Sequence, residues 1–159
     1  MTAADSQTQP PSLQAPAVVR LLVAQRELYE ELDALSQKQG ELISEHRTDE
    51  LLELLGRRQV LLERVQTVTD TLAPVRARWP QFLATLDPAQ RHGVGQVVDA
   101  ITQLIESITR RDQADRDCMI AERERVAGEL ATLDRSRRAT GAYGGPRAGG
   151  GPMFQDREA

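Results

Sequence analysis

AVVRLLVAQRELYEELDALSQKQGELISEHRTDELLELLGRRQVLLERVQTVTDTLA occupies residues 17–73 and contains no proline. A second stretch of 57 residues, 89–145, is equally free of it, and all eight prolines fall elsewhere. In both, leucine, isoleucine and valine recur at spacings of three and four. That is the repeat of one helical face, which an internal proline would break. The chain is therefore expected to be all-α: an antiparallel helical hairpin plus a long third helix, a three-helix bundle of coiled-coil-like character with flexible termini. Rods of this kind work by side-to-side contact, which turns the question of function toward a partner.

The first helix is expected over 17–46. Its seam reads Val18, Leu21, Gln25, Leu28, Leu32, Leu35, Gln39, Leu42, and four of its leucines repeat every seven residues. Gln25 and Gln39 either fix register or sit at a wet edge. The apolar pattern stops at His46-Arg47-Thr48-Asp49. Thr48 is a candidate N-cap, with Asp49 and Glu50 in a first turn that favours negative charge. A turn here makes a hairpin; an unbroken helix with a polar patch is the competing reading. The second helix, 49–79, carries Leu51, Leu54, Leu55, Arg58, Leu61, Leu62, Val65, Val68 and Leu72, and Pro74 either ends or kinks it. Trp79 and Phe82, in a connector bounded by Pro80 and Pro88, are expected to plug one end of the bundle.

Asp87, Pro88 and Gln90 together form a helix-start signal of the capping-box type. The third helix, 88–138, begins with a dense stripe: Val94, Val97, Val98, Ile101, Leu104, Ile105, Ile108. At Asp112 and Asp115 the stripe positions become acidic, and it resumes thinly with Met119, Val126, Leu130 and Leu133. Asp112, Asp115 and Asp117 read as a solvated charged face neutralised by Arg111 and Arg116. At a rise of about 1.5 Å per residue, the third helix outruns the first by ~30 Å. Its distal half is thus expected to lack apolar neighbours from its own chain. Gly141 can stop it. The organisation expected is a disordered N-terminus at 1–16, a helical bundle at 17–138 and a Gly-rich flexible tail at 139–159.

Composition narrows the function classes. Five aromatics in 159 residues suit a leucine-and-alanine bundle better than a sheet. A net charge of −4, mixed in sign, opposes attraction to nucleic acid or anionic lipid. No run approaches ~18 consecutive apolar residues, so no membrane insertion is expected. The N-terminal 16 residues lack the basic and apolar regions of a signal peptide, which makes a cytoplasmic protein the expectation. One cysteine, Cys118, allows no internal disulfide and, lacking an activating histidine nearby, reads as a small apolar contact. His46 and His92 sit in none of the helical metal motifs. The aspartates of 112–117 lack the glycine and closing glutamate of a calcium loop. No catalytic constellation, cofactor or metal site is found, and the chain is not expected to be an enzyme.

The stretch Leu42-Ile43-Ser44-Glu45-His46-Arg47-Thr48-Asp49-Glu50-Leu51, followed by Leu54-Leu55 and by Arg58-x-x-Leu61-Leu62, resembles the FlgN family of flagellar export chaperones. Arg58 stands where lysine is usual in that family. Ala142-Tyr143-Gly144 resembles the small-residue–Tyr–Gly ending common there. One departure falls in the third helix, where Asp112, Asp115 and Asp117 replace the family's asparagines and leucines. The resemblance implies a cytoplasmic chaperone of flagellar type III export. It would bind the hook-associated proteins FlgK and FlgL of the hook–filament junction and keep them from assembling early. It would then deliver them to the export apparatus, with the third helix as the binding element.

The candidate partner-binding residues are Met119, Ile120, Val126, Leu130 and Leu133, with Tyr143 as a handle for an export-gate component. A structural coiled-coil scaffold, using the same residues as the seam of a homodimer, is the alternative.

Overall fold

The computed structural model describes residues 13–144. They form α1 (Ala15–Ser44), α2 (Thr48–Ala77), α3 (Trp79–Ala84) and α4 (Pro88–Tyr143), with no strand among the described residues. Contacts divide the chain into one unit up to Asp117 and a second from Cys118. α4 contributes residues to both.

In the first unit, α1 begins two residues before the sequence pattern suggests. Pro16 occupies the first turn, where its missing N–H removes no helical bond. The Gln14 carbonyl accepts from the Ala17 and Val18 amides at 2.9 and 3.1 Å. The disorder expected over 1–16 is therefore corrected for Ala15 and Pro16; residues 1–12 lie outside the described residues.

The hairpin turn is closed by backbone. The Arg47 amide donates to the Leu42 carbonyl at 3.0 Å, and the His46 amide to that of Ile43 at 3.2 Å. His46 holds φ 56°, the left-handed conformation that such a helix end requires and that glycine usually supplies. α1 accordingly stops at Ser44 rather than 46. Thr48 is not the N-cap: Arg47 takes that place without a side-chain cap bond, and Thr48 is already helical. Asp49 and Glu50 do occupy the first turn, and Arg47 pairs with Glu45 and Glu50.

Pro74 lies inside α2 rather than ending it; the helix closes three residues later, at Ala77. The expected connector is itself helical. α3 sets Trp79 and Phe82 with ring centroids 5.2 Å apart, and both pack on a cluster of Val18, Leu22, Leu72, Leu86 and Val94. That arrangement is the end plug that the sequence suggests.

α4 opens with the expected reciprocal cap. The Gln90 amide donates to Asp87 Oδ1 at 2.8 Å, and the Asp87 amide to Gln90 Oε1 at 3.0 Å. Two amide donors that would otherwise lack partners are thereby satisfied.

The core of the first unit is layered. The cluster beneath Trp79 is one layer. Leu32, Leu61, Val65 and Ile108 form another, with Leu28, Tyr29 and Leu35 at its margin. Buried Gln25 donates to Thr69 Oγ1 at 3.0 Å, joining α1 to α2. Every layer draws on both hairpin helices, as interdigitating seams require.

Candidate partner-binding surface

Three residues of α4 are buried: Val94, Ile101 and Ile108, seven apart. The next in that column is Asp115, and one turn before it stands Asp112. Neither belongs to a solvated face. Arg58 of α2 forks onto Asp112, with Nη1 donating to Oδ1 at 2.7 Å and Nη2 to Oδ2 at 2.6 Å. Arg58 Nη1 also donates to Gln39 Oε1 at 2.7 Å, and Gln39 Nε2 donates to Asp115 Oδ2 at 2.8 Å.

The Arg58 side chain is 11% exposed and that of Asp112 30%, so this layer is partly buried. The hydrogen bond to Asp112 raises the guanidinium further above its already high pKa and keeps it charged. Gly40 belongs to the same layer: a Cβ there would lie 3.2 Å from Asp115 Oδ1. Arg111 pairs with Asp33 of α1, not with its neighbouring aspartates. The expectation of a self-neutralised acidic face is therefore corrected at Asp112 and Asp115. They are the α4 half of a polar layer whose other half is Gln39 and Arg58. Gln39 is thus a network residue and not a wet edge.

In the second unit, the described residues from Cys118 to Gly144 are exposed, except Glu122, which is half-buried. Met119, Ile120, Val126, Leu130 and Leu133 are between 41% and 58% exposed. Cys118 is exposed as well, which corrects its reading as a packed contact.

At about 100° per residue, Met119, Val126, Leu130 and Leu133 share one strip, separated by steps of seven, four and three. Ile120 and Tyr143 each lie more than a quarter-turn from the centre of that strip, on opposite sides of it. The candidates thus reduce to a four-residue strip with two outliers. Arg125 binds Glu122 on one side and Glu129 on the other. A shallow depression at Gly128 is lined by Arg125, Glu129, Thr132 and Leu133.

Tyr143 is 95% exposed and is the last residue of α4, not part of a flexible tail. Gly141 does not stop the helix, because no glycine among the described residues takes a positive φ. The flexible tail expected at 139–159 is corrected for 139–143, and 145–159 lie outside the described residues.

A second exposed apolar face went unread in the sequence. Leu52, Leu55 and Leu62 of α2 are 63%, 42% and 44% exposed. The signal was present: Leu51-Leu52, Leu54-Leu55 and Leu61-Leu62 are doublets whose members point about 100° apart, so a narrow two-helix seam buries one of each and leaves the other toward its edge.

Among the described residues, no three His, Cys, Asp or Glu side chains converge as a metal site, and no helix is long and apolar enough to cross a membrane.

Compared with known protein families, the chain matches the model described as FlgN protein over residues 14–148. No curated protein and no solved structure matches it significantly.

Proposed function

The chain belongs to the FlgN family, whose members are chaperones of flagellum biogenesis rather than enzymes, and from that premise we propose that it is a cytoplasmic type III export chaperone for the hook-associated proteins FlgK and FlgL. It covers their assembly helices until export and hands them to the export apparatus, with Tyr143 available to an export-gate component.

The observation that carries this reading is the strip of Met119, Val126, Leu130 and Leu133, about half exposed on a helix of a family that acts on flagellar proteins. An amphipathic cargo helix laid along it would bury apolar area on both sides, at roughly 25 cal/mol per Å². Binding of this kind is reversible, as delivery demands.

Hydrogen exchange tests the reading. Amides of residues 119–133 are expected to exchange faster than those of α1 in the free chain and to slow when FlgK or FlgL is added. Unchanged exchange with both proteins would count against it. The seven-residue spacing of Met119, Val126 and Leu133 also suits a homodimer seam. Sedimentation equilibrium at low micromolar concentration separates the two, since the scaffold reading requires an oligomer without cargo.

A further inference from the structure

Arg123 lies four residues after Met119, three before Val126 and seven before Leu130, so it stands within the apolar strip itself. Its neighbours one helical turn away are Met119, Ile120, Val126 and Ala127, none of them acidic. Arg125 is the contrast, because it has Glu122 three residues back and Glu129 four ahead and binds both. Arg123 forms no ion pair among the described residues.

An arginine framed by apolar side chains has its charge where a docked helix would exclude water. A charge desolvated without a partner is costly, whereas one met by a carboxylate forms a strong forked pair.

We propose that Arg123 is the specificity residue of the strip, and that the helix it accepts is an amphipathic cargo helix carrying an acidic residue within its apolar stripe, facing Arg123. This rests on the reading of α4 as the cargo surface. The family's action on flagellar proteins favours cargo over a second copy of the chain: Glu122 and Glu129, along one edge of the strip, are already engaged by Arg125, and Asp134, along the other edge, faces Arg123 of a second copy only in an antiparallel pair. In a parallel, in-register pair, Arg123 would also meet its own counterpart. The acidic residue admits helices that possess it and penalises merely greasy ones, which supplies selectivity that apolar contact alone lacks.

The test is calorimetric titration of full-length chain with purified FlgK and with FlgL, at several salt concentrations. Circular dichroism verifies each variant's helicity. Leu130→Asp is expected to abolish binding. Arg123→Gln is expected to weaken it about tenfold and flatten its salt dependence. Arg123→Glu should weaken binding further, and Arg123→Lys should recover only part, since lysine lacks the planar fork.

If Leu130→Asp abolishes binding while Arg123→Gln and Arg123→Glu bind like the parent at every salt, this inference is overturned and the chaperone reading stands. If Leu130→Asp also binds like the parent, both fall. If Arg123→Gln dissociates a homodimer without altering cargo affinity, the partner of Arg123 is a second copy and the proposal is wrong.

Discussion

α4 presents two regions with related patterns and opposite outcomes. In the first unit, Val94, Ile101 and Ile108 recur every seven residues and are 3%, 8% and 8% exposed. In the second, Met119, Val126 and Leu133 also recur every seven residues and are 52%, 41% and 55% exposed. The spacing is the same, so spacing does not decide burial. What differs is the facing material. The first region meets Leu32, Leu61, Val65, Leu72 and their neighbours, and the two are divided by a layer in which carboxylates take the stripe positions. A heptad column marks a face that can be covered; only the rest of the fold supplies the cover.

Three sets of substitutions sharpen the comparison, taken in order of the largest effect in each. Leu32→Ala should lower the unfolding free energy by about 3 kcal/mol, because a nearly inaccessible leucine leaves a cavity. Leu130→Ala, at a site 58% exposed, should stay within about 0.5 kcal/mol. Equal losses in urea denaturation would mean that the second region is covered in solution.

Next comes the boundary layer. Arg58→Ala leaves Asp112 partly buried without its partner and should cost about 2 kcal/mol, as should Asp112→Ala by the reverse route. The double substitution of Arg58→Met with Asp112→Leu should recover most of that, since no charge is then stranded. A double variant as unstable as either single one would show that the layer contributes more than the pairing of two charges.

The last set is a single change, His46→Gly at the hairpin turn. Glycine takes the left-handed conformation without a side-chain penalty, so a gain of about 1 kcal/mol is expected. A loss would show that the histidine side chain holds the turn.

Much of the fold was legible because its signals are local. The proline-free runs, the three–four spacing, the Asp87–Gln90 cap and the acidic first turn of α2 each lie within a few residues. The family match over 14–148 agrees with the resemblance carried by the 42–62 segment. The misread places were local patterns with more than one outcome. Pro16 can precede a helix or open it, Gly141 can end a helix or continue it, and a histidine can hold a left-handed turn. Of the candidate surface, the sequence indicated the residues of the strip. The odd position of Arg123 within it emerged by contrast with Arg125, whose two glutamates are engaged.

By itself, then, the sequence determined an all-α chain, the approximate places where its helices start, and the thinning of the apolar stripe beyond Ile108. Those properties follow from backbone geometry and side chains one turn apart. The tertiary structure alone decided that Arg58 answers Asp112, that Gln39 answers Asp115 and that Arg111 answers Asp33. These partners lie 54, 76 and 78 residues apart. No local rule pairs charges across such distances; only the packing of α4 against the hairpin brings them within hydrogen-bonding reach.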